Sequence, residues 1–381
     1  MKSEKMKIAS VIAILVALIL AIGIFGFSCV SGLAPIGWSG GVVSDGILYV
    51  ASLEGRLISM NLTDQSRLSA ETLKLPTQSG LFGCSAATSC GAGTSRVPIY
   101  GTPVVSGDLV YVAGYNGKIY AYKTTNLAQR WVFPRDGYLS PFVGEMVVAQ
   151  NKLFIGGSDG WVYALDAATG DLLNSFQTGD KIWGASTLDN DTLYIGSFDK
   201  KLYALNAADL TLKWTFTTEG SIIAKPLVSD GVVYIGSFDR YLYAINAADG
   251  TLKWKFMGGN WFWAQPAIVN DTLYAGSLDG FVYVLKTDTG VIVTSFNLGS
   301  QLASPPLVVD NYIIFASHNG IVSKINSITN EITQIAAISF NIDGPLTVHE
   351  GILYIQTQDF SLQRIDIISG ALLPAITLIS G

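Results

Sequence analysis

Five carboxylates recur at one position of a repeating pattern: Asp159, Asp199, Asp239, Asp279 and Asp359. Such a set suggests a cation ring or an acid–base pair. Acid–base work needs two carboxyls in unlike surroundings, and identical repeats supply like ones. Each Asp sits in a short turn, where its side chain satisfies the turn's own backbone. That structural role is the one the pattern predicts. The two histidines, His318 and His349, fall in turns of different repeats. Two histidines give no material for a His-rich metal centre or a Ser/His/Asp hydrolase, so neither a metal site nor a catalytic residue is expected. The cysteines are Cys29, Cys84 and Cys90. Cys84 and Cys90 flank a short loop in the Gly/Ser/Ala-rich stretch 81–94. In an oxidising compartment such a pair reads as a disulfide, the alternative being two free thiols. Their spacing does not suit zinc, and no His is near in sequence.

Binding chemistry gathers where the repeats differ, in the segment that leads into each repeat. It holds Arg135, Asp136 and Tyr138 in one copy, Lys181 and Trp183 in the next, then Lys225. Trp261, Trp263 and Gln265 follow, then Gln301 and Ser304, then Asn341 and Asp343. Trp, Tyr and Arg are the side chains that anchor interfaces. If the first strands surround a channel, these residues meet at one mouth of it. The expected partner- or ligand-binding set is therefore Arg135, Tyr138, Lys181, Trp183, Lys225, Trp261, Trp263 and Gln265. Two Trp separated by one residue on an extended chain face one side, so Trp261 and Trp263 are expected to form one apolar platform. Ordinary blade packing is the competing role for all of them.

The elements that position these residues are repeats. Phe154, Tyr194, Tyr234, Tyr274, Ile314 and Tyr354 stand 40 residues apart at every step. Tyr111 lies 43 residues before Phe154, and Tyr49 lies 62 before Tyr111. The longer gap holds the Cys84–Cys90 segment, read as an insert over about residues 76–98. Each copy holds four short apolar runs divided by turn signals such as Asp230-Gly231, Asn270-Asp271 and Asp249-Gly250. No helical period is sustained after residue 30. Eight copies of four strands predict an all-β, eight-bladed propeller of four-stranded blades, in which stacked blades bury one another's faces.

The copies resemble the quinoprotein (PQQ-type) repeat family. The resemblance rests on Ala164-Leu165-Asp166-Ala167-Ala168-Thr169-Gly170, Ala204-Leu205-Asn206-Ala207-Ala208-Asp209 and Ala244-Ile245-Asn246-Ala247-Ala248-Asp249-Gly250. Trp131, Trp214 and Trp254 match the family's closing Trp; Asn174, Thr294, Gln334 and Pro374 depart from it. The resemblance implies an eight-bladed propeller in which that Trp packs between blades. It also implies one of two functions. Quinoprotein dehydrogenases of the family bind PQQ beside a calcium held by Glu, Asn and Asp, with a catalytic Asp and often adjacent cysteines. Here the cysteines are six apart and no distinctive carboxylate cluster stands out, so neither PQQ nor calcium is expected. The BamB-like lipoproteins of outer-membrane protein assembly are similar in size, blade number and anchor. They imply a scaffold for protein partners. A cell-surface glycan binder acting through Trp261 and Trp263 is a third reading.

The amino terminus bears on compartment. MKSEKMK carries three Lys, and Ile8 to Val30 is an uncharged apolar run of 23 residues, long enough to span a bilayer as one helix. Gly26-Phe27-Ser28-Cys29 resembles a bacterial lipobox, with Gly26 and Phe27 atypical. Lipidation at Cys29, a retained helix and simple cleavage all stay open. All three export residues 31–381, with the Lys residues left in the cytoplasm. The expected domains are thus an anchor over 1–30 and a propeller over 31–381, tethered outside the cytoplasmic membrane. Charged residues make up 14% of the chain against roughly 25% in a typical soluble protein. Aromatics make up 11%, and the net charge is −6. This composition excludes a disordered chain and a long coiled coil, and no basic surface invites nucleic acid.

Overall fold

In a computed structural model, residues 39–51, 55–73 and 97–378 are described. Cys29, Cys84, Cys90, the expected apolar helix and the boundary at residue 30 lie outside them, as does most of the 76–98 insert. The described strands form eight four-stranded antiparallel sheets, each built from consecutive strands in sequence order. The blades cover residues 41–72, 104–133, 147–177, 187–217, 227–257, 267–297, 307–337 and 347–377 and are numbered 1 to 8 in that order.

Blade 5 shows how local sequence makes a blade. Its strands are Leu227–Ser229, Val232–Gly236, Tyr241–Asn246 and Leu252–Met257. Asp230 and Gly231 join the first two with φ of 51° and 72°, the paired positive φ that a tight hairpin turn with the right twist requires. The second strand is an unbroken run of buried residues, because both of its faces meet neighbouring blades. The outermost strand alternates. Trp254 and Phe256 turn toward blade 6, while Lys253 and Lys255 face solvent. A bulge between Ala244 and Ile245 interrupts its pairing, and the same irregularity recurs beside the outer strand of the other blades.

Antiparallel order puts the first and third turns of each blade on one face of the ring. The middle turn and the lead-in to the next blade share the opposite face, here called the upper one. The core is a set of apolar clusters between blades, each drawing side chains from two neighbours. Among the described residues the ring closes through side chains, with no strand shared between blades 1 and 8. Leu48, Val50 and Ile58 of blade 1 meet Tyr354 and Leu362 of blade 8. Thr347 Oγ1 donates to the Gly41 carbonyl at 2.7 Å, and Gln356 Nε2 donates to the Ala51 carbonyl at 3.0 Å.

Candidate functional site

A column of small residues brings the lead-ins together around the axis: Gly40, Gly101, Gly144, Gly184, Ala224, Ala264, Ser304 and Gly344. A Cβ at Gly144 would stand 2.4 Å from the Gly184 carbonyl oxygen, and one at Gly184 would stand 2.4 Å from that of Ile223. The column is small because successive lead-ins pass at backbone contact. Beside it opens a cavity of about 630 Å³ at the upper end of the channel. Trp183, Lys225, Trp263 and Gln265 line it, with Glu145, Asp343 and the apolar Val104, Met146 and Leu307.

A polar bar crosses this cavity. Lys225 Nζ meets Glu145 Oε2 at 3.3 Å. Glu145 Oε1 accepts from Thr102 Oγ1 at 2.7 Å, and Thr102 Oγ1 accepts from the Gly40 amide at 3.3 Å. The bar links blade 1 to blade 5. Ala185 occupies the intervening blade's matching position, and its small side chain leaves room for Lys225 to reach Glu145. Gln265 instead ties down backbone, donating to the Pro226 carbonyl at 3.0 Å.

Above the cavity an aromatic row crosses blades 3 to 6. Each lead-in is held to its own blade's middle turn by one backbone bond: Phe198, Phe238, Leu278 and His318 amides donate to the Lys181, Ser221, Trp261 and Gln301 carbonyls. A second set fixes the middle turn of one blade against the lead-in of the next: the Ile182, Ile222 and Leu302 amides donate to the Gly157, Ser197 and Ser277 carbonyls, which brings together side chains 25 residues apart. At Ser158 and Trp183 the pair is a hydrogen bond, indole to hydroxyl, at 3.0 Å. At Phe238 and Trp263 it is a stack at 5.6 Å, and at His318 and Asp343 a hydrogen bond at 2.6 Å. Trp183 lies edge-on to Phe198 at 4.9 Å, Phe198 lies 6.2 Å from Phe238, and Phe238 stacks on Trp261 at 4.3 Å. Lys181 Nζ stands 4.5 Å from the Trp183 ring and 4.4 Å from the Phe198 ring, a cation–π arrangement.

Six of the eight expected residues thus come together: Lys181, Trp183, Lys225, Trp261, Trp263 and Gln265. Arg135 and Tyr138 do not join them. By repeat spacing the lead-in to blade 3 is three residues longer than those to blades 4 to 8, and the excess carries both outward. Arg135 pairs with Asp171 beside the outer strand of blade 3 at 2.5 Å, and Tyr138 is solvent-exposed. Trp261 and Trp263 do share a platform, although residues 258–266 are not a strand. Their common partner is Phe238, which sequence reasoning missed. The signal was the column Ser158, Phe198, Phe238, Leu278, His318, variable at 40-residue steps exactly as the lead-ins are.

The recurring carboxylates are occupied by structure. Asp239 Oδ1 accepts from the Tyr241 amide at 2.9 Å, and Oδ2 from Tyr243 Oη at 2.8 Å and the Glu219 amide at 2.9 Å. Asp159, Asp199 and Asp279 bind their own turn amide and a Tyr hydroxyl in the same way. Burial first, then these carboxylates, push the Tyr163, Tyr203 and Tyr243 hydroxyls far above the usual phenol range. At the cavity Glu145 is engaged by Thr102 and Lys225, and Asp343 by His318. Among the described residues no three His, Cys, Asp or Glu cluster as metal ligands.

The sequence profile of a family described as outer membrane protein assembly factor BamB matches residues 30–180 and 158–373. The chain belongs to that family. Among solved structures, BamB from Moraxella catarrhalis superposes with a TM-score of 0.66 at 19% identity, covering 84% of this chain and 91% of that one. The computationally designed Ika8 protein superposes with a TM-score of 0.72 at 14% identity, covering 87% and 96%. At such identities the likeness shows the fold alone. No curated protein matches the sequence.

Proposed function

We propose that this BamB-family chain is a scaffold that holds protein partners at an outer membrane and catalyses no reaction. The observation that carries this reading is the aromatic row on the upper face. Trp183 and Trp261 are exposed there, backed by Phe198 and Phe238 and flanked by Lys181. Rigid aromatic side chains on a preformed surface bind protein with little loss of side-chain freedom. The family description adds the setting, an assembly of outer-membrane proteins.

In this reading the propeller lies outside the cytoplasmic membrane, tethered through a lipidated Cys29 or a retained apolar helix, and Cys84 and Cys90 form a disulfide. Partner capture from detergent-solubilised membranes tests the site. Trp261→Ala and Phe238→Ala should each weaken retention by about 2 kcal/mol or more, a factor of roughly 30. Full retention by both folded variants would remove the row from the function. A purified exported domain should show no new absorbance band with added PQQ and calcium; a saturable band would support the oxidoreductase reading instead. Cys29→Ser should release the chain or block its processing if the anchor is lipid. Unchanged mass and membrane retention would leave the helix as the anchor.

A further inference from the structure

Residues from two rings of equivalent positions line the cavity at the channel mouth, one residue before and one residue after the small column. In the ring after the column only Glu145 and Lys225 are charged, and they pair with each other. In the ring before it, Tyr100, Trp183 and Trp263 stand in the lead-ins to blades 2, 4 and 6. Smaller residues stand between them, and Asp343 stands in the lead-in to blade 8. The aromatic positions thus recur at every second blade, and the circuit ends on a carboxylate.

Each of the three aromatic walls is set by a second ring. Tyr100 lies 5.4 Å from Tyr115, Trp183 lies 4.9 Å from Phe198, and Trp263 lies 5.6 Å from Phe238. The walls are therefore ordered before any ligand arrives, which lowers the entropic cost of binding.

Asp343 is the charge that the cavity leaves unbalanced. The lining carries two carboxylates and one ammonium, and Lys225 offsets Glu145. Asp343 Oδ1 meets His318 Nδ1 at 2.6 Å, while Oδ2 has no partner among the described residues. The Asp343 side chain is 32% exposed, so this charge is open to a ligand. Aromatic faces beside an unbalanced carboxylate select a cation. The chain holds its own cations in the same way: Lys255 Nζ stands 4.4 Å from the Tyr241 ring and Lys324 Nζ 4.9 Å from the Tyr312 ring. An anionic ligand would meet Asp343 with no free cation to offset it, because Glu145 holds Lys225. A guanidinium suits the mouth better than an ammonium. It is the more weakly hydrated of the two, its plane stacks on aromatic faces, and its fork of donors reaches a carboxylate. A cavity of about 630 Å³ has room for an arginine with its flanking backbone.

We propose that the channel mouth receives a guanidinium group, carried by an arginine of the protein partner. The guanidinium donates to Asp343 Oδ2 and rests against the aromatic walls. This names the chemistry of the partner segment, and it rests on the scaffold reading only for the source of the arginine.

The probe is N-acetyl-L-argininamide added to the full chain in a nonionic detergent, read by saturation-transfer NMR on its side-chain methylene protons. The wild type should show saturable contact. N-acetyl-L-citrullinamide, nearly the same shape without the charge, should bind at least about ten-fold more weakly. Asp343→Asn should weaken the arginine contact by a similar factor. Glu219→Gln removes an equal charge from the upper face outside the cavity and should leave the contact unchanged. No saturable contact in the wild type, equal contact for the citrulline probe, undiminished contact in Asp343→Asn, or an equal loss in Glu219→Gln would each overturn the proposal. Full partner retention by Trp261→Ala and Phe238→Ala beside an intact arginine contact would count against the aromatic row alone.

Discussion

Trp254→Ala and Trp261→Ala separate a Trp that holds the ring from one that faces a partner. Trp254 is 8% exposed. A Trp side chain covers about 200 Å², so at about 25 cal/mol per Å² its burial contributes roughly 4–5 kcal/mol. The Thr287 carbonyl, which accepts from Trp254 Nε1 at 2.9 Å, keeps its bond from Tyr234 Oη at 3.2 Å, so no buried acceptor is orphaned and the cost stays near that of a cavity, about 3–5 kcal/mol. Trp261 is 39% exposed and rests one face on Phe238. Its truncation loses that stack and some area, roughly 1–2 kcal/mol. Urea denaturation followed by far-UV circular dichroism measures both. The Trp254→Ala midpoint should fall by about 1 M or more, several times the shift for Trp261→Ala. Equal shifts, or a larger one for Trp261→Ala, would show that the lead-in Trp is a packing residue and would refute the division between scaffold and surface.

Gly250→Ala should cost about 2 kcal/mol more than Gly231→Ala by the same denaturation. Both have φ near +70°, but only the new methyl at Gly250 meets the Trp214 ring. A double-mutant cycle on Glu145→Gln and Lys225→Met should give a coupling of about 1 kcal/mol or less that shrinks with added salt, since both side chains are about a third exposed or less. Stability should fall as pH rises above about 10. Burial raises the Tyr111 and Tyr234 hydroxyls to about 12, so the folded state holds protons that the unfolded chain releases. Their contribution is complete below the unfolded value near 10 and lost as pH climbs through 12. Thermal melts between pH 9 and 12 check this, and Tyr234→Phe should flatten the slope.

The blades were legible because each is written in a contiguous stretch. A large apolar residue, most often Tyr, every 40 residues from Phe154 to Tyr354, and turn pairs such as Asp230-Gly231 and Asn270-Asp271 after first strands, mark strand positions directly. The turn role of Asp239 was also readable, since its main partners lie within four residues. The site was only half legible. Phe238 meets Trp263 across 25 residues and Glu145 meets Lys225 across 80, distances set by the ring's curvature rather than by any local pattern. Arg135 and Tyr138 were placed by analogy with shorter lead-ins, and three extra residues were enough to carry them off the channel.

The ring's closure without a shared strand has a topological consequence. Every blade is a self-contained stretch of chain, and the seam between blades 8 and 1 is bridged by side chains, not by a swapped strand. The order in which the blades are encoded is therefore arbitrary with respect to the fold. A circular permutant with Leu378 joined to Ser39 through a short linker, and opened in the lead-in 298–306, should assemble the same ring. The same independence makes duplication or deletion of a 40-residue unit a change of circumference rather than a break in any sheet.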